Sequence, residues 1–128
     1  MTVPTKFATQ FHEWWDELIA EGRRCKFPYL VDQEVLGELA ALEPDAPERQ
    51  WIYEILIDWL ASPDSLRWQP ALGILSRERV PGAANAMRAA VSPANTGEKE
   101  RFHDTFHRVA AELDAALGDV DSDPGQTG

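Results

Sequence analysis

Residues 55–91 read ILIDWLASPDSLRWQPALGILSRERVPGAANAMRAAV. An apolar run at helical spacing ends, and Ser62-Pro63-Asp64 interrupts it. A second run follows, Val80-Pro81-Gly82 interrupts again, and a third begins. Proline has no N–H and fixes its own φ, so such clusters stop one helix or start the next. Connections this short force consecutive helices to lie side by side. The stretch reads as a slab of packed helices, the form of a binding scaffold, and carries no recognisable catalytic constellation.

Working upstream, helix three starts near Pro47. Trp51, Ile52, Ile55, Leu56, Trp59 and Leu60 cover one wide arc, which Tyr53 and Ile57 extend. Only Gln50, Glu54 and Asp58 remain polar. A helix apolar nearly all round belongs at the centre of a fold, so helix three is expected there. Helix two is expected to start at Asp32 as N-cap, with Val31 and Leu36 as a hydrophobic staple, and to stop at Pro44. Helix one runs from about Pro4 to Glu21, with Phe7, Phe11, Trp14, Trp15, Leu18 and Ile19 on one face and Gly22 suited to its C-terminal turn. Trp14 and Trp15 are neighbours and point about 100° apart, given 3.6 residues per turn. One of the two is a candidate binding anchor, and Trp68 is open to the same two readings.

Working downstream, Ser62-Pro63 makes an N-cap and N1 pair for helix four, and Pro70 is expected to kink or split that helix. Helix five covers about Gly82 to Val91. Asn95 and Glu98 have capping-box spacing for helix six, where Phe102, Phe106, Val109, Leu113 and Leu117 keep period until Gly118. The tail DVDSDPGQTG is acidic and rich in helix breakers. The expectation is an all-α fold, a compact bundle of five or six helices forming one domain over 1–118, with a disordered acidic tail at 119–128.

The segment SPDSLRWQPALGILS with the short helix after it, residues 60–91 in all, resembles a single HEAT-type helical repeat. Pro63-Asp64 matches that family's turn, Arg67 its following arginine, Ala71-Leu72 the pair that faces the neighbouring helix, and Pro70 the proline of the first helix. The resemblance covers about a quarter to a third of the chain. Solenoids of this type are usually stable from about three repeats, and this chain has room for at most one and a half. The resemblance implies a HEAT-like helical hairpin and a protein-binding scaffold without cofactors.

Charge is the strongest functional signal. The 128 residues hold 12 basic and 22 acidic side chains, a net charge of −10. Residues 27–62 contain eight acidic residues and one basic, whereas residues 63–95 contain two acidic and four basic. Glu34 and Glu38 stand at i, i+4 on helix two, and Glu54 and Asp58 do so on helix three. Like charges at that spacing repel by roughly 0.2–0.5 kcal/mol. Glu43, Asp45 and Glu48 add charge at the turn between them. These seven residues are the candidate partner-binding surface, one that favours a basic protein and disfavours nucleic acid and anionic membranes.

Other candidates carry less. His103 and His107 at i, i+4, with Glu100 one turn earlier, have the spacing of a metal pair. Asp104 occupies the position where the metalloprotease pattern needs glutamate, and a second Glu-x-x-His is absent. Cys25, between Arg24 and Lys26, is the only cysteine, so no internal disulfide forms. Neighbouring cations lower a thiol pKa, and a helix C-terminus opposes them. No apolar run approaches the ~20 residues of a membrane span, and the N-terminal stretch lacks a signal-peptide layout. The sequence thus points to a cytoplasmic, non-enzymatic interaction module without cofactor or catalytic residues. An immunity protein or antitoxin that masks a basic partner is the specific expectation. A helix-turn-helix DNA-binding regulator around Arg77, Arg79 and Arg88 and a small enzyme with an unrecognised site are the alternatives.

Overall fold

The computed structural model describes residues 3–91 and 101–126, with side chains described as far as Gly118. The described residues form six helices: α1 (Thr5–Arg24), α2 (Leu30–Ala41), α3 (Pro47–Trp59), α4 (Ser65–Arg77), α5 (Ala83–Ala90) and α6 (His103–Gln126). No strand occurs among the described residues, so the fold is all-α.

The central helix is α4, not α3 as the width of α3's apolar arc suggests. α4 packs against α2, α3, α5 and α6. It buries Trp68, Ala71, Leu72, Ile74 and Leu75. Ala71 and Gly73 are small and let neighbouring helices approach. The large side chains of α3 instead meet α1 ring to ring, with centroids 5.0 Å apart for Phe7–Trp51, 5.7 Å for Phe11–Trp59 and 4.7 Å for Trp15–Trp59. On its other flank α4 sets Trp68 against Phe102 and Phe106, each 5.1 Å away. Trp68 is therefore core.

Pro70 does not split α4, which is continuous from Ser65 to Arg77. A proline at position 70 deprives the carbonyl of residue 66 of its i+4 donor. The indole N–H of Trp15 fills that gap, donating to the Leu66 carbonyl at 2.9 Å. α1 thus repairs α4, and the repair fixes how the two helices dock. Arg67 adds a second tie. Its guanidinium lies 4.7 Å from the Trp59 ring centroid and pairs with Asp16 of α1 at 2.8 Å.

The helix ends also differ from expectation. α1 continues past Glu21 to Arg24, and Gly22 is a buried interior residue. A Cβ there would stand 2.7 Å from the Phe27 carbonyl oxygen, so the returning loop needs glycine at this point. The positive φ falls instead on Lys26, at 57°. Lys26 N–H donates to Arg23 O at 3.3 Å and Phe27 N–H to Gly22 O at 2.7 Å, a Schellman ending. α4 ends the same way, with Arg79 at φ 52° and Val80 N–H reaching Leu75 O at 3.3 Å. α4 starts from Asp64, not Ser62-Pro63, and the Asp64 carboxylate accepts from Leu66 N–H at 2.9 Å. α6 is helical to Gln126, beyond the expected stop at Gly118. A lone glycine costs a helix only about 1 kcal/mol relative to alanine and does not end it unaided. The Asn95–Glu98 capping box lies outside the described residues, as do the side chains of the 119–128 tail.

Asp32 is not the cap of α2. The helix starts at Leu30, from Tyr29, and Asp32 lies within its first turn. The side chain is half-buried, with a carboxylate oxygen facing Gly73 of α4. Burial raises its pKa above the ordinary 3.8, and its own backbone N–H and Arg77 offset this only in part. A carboxyl whose folded pKa is raised favours the fold when protonated. That contribution is present below the unfolded value and is lost as pH rises through the folded one. Asp32→Asn should therefore raise the melting temperature at pH 7, and the gain should close as pH falls below about 4. Thermal melts of both proteins between pH 3 and 7 check this, and a gain that persists at pH 3 contradicts it.

Candidate functional site

Phe7, Phe11 and Trp14 fall at i, i+4 and i+7, on one face of α1. Phe7 and Phe11 stack at 6.2 Å, and Trp14 meets Phe11 edge-on at 5.8 Å. Trp51 of α3 buttresses Phe7 from behind and is half-buried. Glu38 on α2, Leu42 at its C-cap, and Glu48 and Ile52 on α3 close a groove over these rings. The groove encloses about 300 Å³. Phe11 is buried and forms the floor, whereas Phe7, Trp14 and Glu48 are half-buried and Glu38 is exposed. The adjacent tryptophans divide the roles, since Trp15 is fully buried in the core and Trp14 lines the groove.

The seven acidic candidates are not gathered in one place. Glu38 and Glu48 rim the aromatic groove. Glu34, Glu43, Asp45 and Asp58 are exposed on α2, on the α2–α3 turn and on α3. Glu54 is half-buried and lines a separate groove of about 400 Å³ with Gln50, Tyr53, Ile57, Val80 and Pro81.

Arg49 is the one cation of the 27–62 segment, and it is turned inward with 17% of its side chain exposed. Its guanidinium donates to the Leu39 and Leu42 carbonyls at the end of α2, to Tyr53 Oη at 3.0 Å and to Glu78 Oε1 at 3.3 Å. Tyr53 O–H donates to the same Glu78 oxygen at 2.8 Å. Burial first, and then the Glu78 carboxylate, push the Tyr53 pKa above its usual 10.0. This has two effects on the acidic face. Arg49 pins the C-terminal end of α2, and so places Glu38 and Leu42. It is also withdrawn from the surface, so it does little to neutralise the exposed carboxylates. Spacing rules do not find such a network. The available signal is that Arg49 is the sole cation in an acidic segment and follows a helix start.

Aromatic faces attract cations through their quadrupole, by about 0.5–1 kcal/mol when exposed and ~2 when desolvated. Carboxylates at the rim add long-range attraction. Aromatic rings with carboxylates at their rim form an arrangement that attracts cationic side chains.

The other candidates are placed as follows. The His103 and His107 rings sit 4.3 Å apart, with His103 exposed, His107 half-buried and Glu100 outside the described residues. Among the described residues, no group of three or more His, Cys, Asp or Glu is placed to hold a metal ion. Cys25 is exposed, and its Sγ–H points at Glu21 Oε1, 3.4 Å away. No helix among the described residues is long and apolar enough to cross a membrane. Comparison with family models, curated proteins and solved structures finds no match to this chain.

Proposed function

We propose that this protein is a non-enzymatic interaction module that neutralises a basic protein partner, in the manner of an immunity protein or antitoxin. The observation that carries the reading is the groove of α1, α2 and α3, where Glu38 and Glu48 rim the Phe7, Phe11 and Trp14 rings. Glu34, Glu43, Asp45 and Asp58 are exposed elsewhere on α2, the α2–α3 turn and α3 and add to the negative field, while Arg49 is drawn away inside. A negative field speeds encounter with a positive surface, and a buried aromatic anchor then slows release. The HEAT-like hairpin of α4 and α5 belongs to this proposal as the scaffold beneath α3. The cytoplasm is the proposed compartment.

Protein is favoured over DNA as the partner by the state of α5. Its Arg88 is held by Asp114 of α6 and bonded to Asn85. Its buried face, Ala83, Ala84, Met87 and Ala90, is spent on packing. Little is left for reading a groove.

The test uses protein captured from the native host, identified by mass spectrometry and purified. Glu38→Lys should slow association several-fold, and raising salt towards 1 M, where the Debye length is about 3 Å, should mimic the change. Asp104→Lys on α6 is the matched control, because that side chain is fully exposed, lies far from the groove in the chain and contacts only the exposed His103 ring rather than an arginine. Equal losses from both reversals, or association indifferent to salt, would refute the reading. Glu112 and Asp114 make poor controls, because they pair with Arg108 and Arg88.

A further inference from the structure

At the other end of α1 lies a second groove of opposite character. Leu18, Ile19 and Gly22 of α1, Pro28 of the α1–α2 loop, Val31 of α2 and Leu66 of α4 line about 270 Å³ of space. These walls are aliphatic and carry no side-chain hydrogen-bonding group. The only polar side chains at the groove are two cations, Arg23 and Lys26. Among the described residues neither cation enters an ion pair, whereas the neighbouring Arg24 is occupied by Glu21.

The exposed large hydrophobic side chains of the described residues are Phe27, Tyr29 and Leu66, at 37%, 67% and 37%. Of these Leu66 lines this groove, so part of its apolar wall stands open to solvent. Lys26 holds the left-handed backbone, φ 57°, that ends α1, a conformation glycine would adopt without strain.

We propose that this groove binds a medium-chain aliphatic carboxylate, with the chain against Leu18, Ile19, Val31 and Leu66 and the carboxylate at Arg23 and Lys26. The walls select an aliphatic body, because they offer neither a ring to stack on nor a partner for a polar group. The rim selects a negative head, although the chain as a whole carries −10. The volume lies just under the ~300 Å³ at which drug-sized pockets begin, so it suits a chain shorter than a drug-sized ligand. This site is separate from the acidic groove, and neither proposal depends on the other.

Titration calorimetry with octanoate, 1-octanol and octylammonium tests it directly. Octanoate should bind best and octylammonium worst. The protein's net charge alone would give the reverse order. Across hexanoate, heptanoate and octanoate, each methylene should tighten binding about fourfold. Arg23→Gln should weaken octanoate about twofold to fivefold, as for an exposed ion pair. Lys26→Gly separates ligand contact from structure, because it should raise the melting temperature while weakening octanoate by a similar factor. Leu66→Glu should abolish binding with little change in melting, since that side chain is exposed and the Trp15 bond uses only the Leu66 backbone. Octylammonium binding as tightly as octanoate, or no dependence on chain length, overturns the proposal. So does unchanged octanoate affinity in both Arg23→Gln and Lys26→Gly. Saturable binding of an acidic amphipathic peptide, with octanoate unable to displace it, would assign the groove to a protein partner and overturn the proposal equally.

Discussion

Trp15→Ala should be the most damaging single substitution in this protein, lowering stability by at least about 4 kcal/mol. Trp15 is fully buried and touches both Phe11 and Trp59. Deleting a core tryptophan costs about 3–5 kcal/mol through lost transfer energy and the cavity left behind. It also orphans the Leu66 carbonyl, and an unsatisfied buried acceptor adds about 1–3 kcal/mol. Against a total of roughly 5–15 kcal/mol for a domain, much of the stability would be gone. Urea melts would register this as a large fall in midpoint. Trp15→Phe isolates the hydrogen bond, because most of the ring remains. Its cost should shrink by about 1 kcal/mol when Pro70→Ala is also present, since residue 70 would then supply the missing N–H. An equal cost in both backgrounds would show that the indole does not stand in for the proline's absent donor.

The pairing of Trp15 with Pro70 also shows where sequence reading stops. Both residues were legible as features: the tryptophan on the apolar face of helix one, the proline as an interruption of helix four. Each signal is local to its own helix. A continuous α4 depends on Trp15 reaching the Leu66 carbonyl that Pro70 leaves open, 51 positions along the chain, and no local rule carries that information. The same holds at Gly22, where a suitable helix-stop residue is instead required by the approach of the Phe27 carbonyl. Helical periodicity, by contrast, is local and repeated. It placed the buried faces of α1, α3 and α6 on the residues that are in fact buried or half-buried. It could not say that α4 would be central, because width of an apolar face measures how much a helix buries and not how many helices share it. In the candidate site, the concentration of carboxylates was legible as composition. Their division between the aromatic groove and the Glu54 groove was not, because it depends on where α1 and α5 lie against α3.

Arg49 offers the second large effect. Arg49→Met should cost about 3 kcal/mol, the lower end of the range for breaking a buried ion pair, because both partners keep some exposure. The substitution keeps an unbranched side chain, so the loss reports mainly the hydrogen bonds. It would strand the Leu39 and Leu42 carbonyls and leave the Glu78 carboxylate with Tyr53 alone. Arg49→Lys should recover only part of the loss. A single ammonium cannot span two carbonyls, a phenol and a carboxylate as the planar guanidinium does. Glu78→Gln measured alone and with Arg49→Met should show coupling, because the two side chains share one network. The consequence for binding separates this residue from the acidic rim. Arg49 anchors the end of α2 that carries Glu38 and Leu42, so its loss should loosen the groove and hasten release of a bound partner. The association rate and its salt dependence should stay near wild type, since the surface charges are untouched. Equal stability of Arg49→Lys and the wild type would mean that charge alone holds this corner. Slowed association in Arg49→Met at constant salt would mean that Arg49 contributes to the field the partner meets, contrary to its inward orientation.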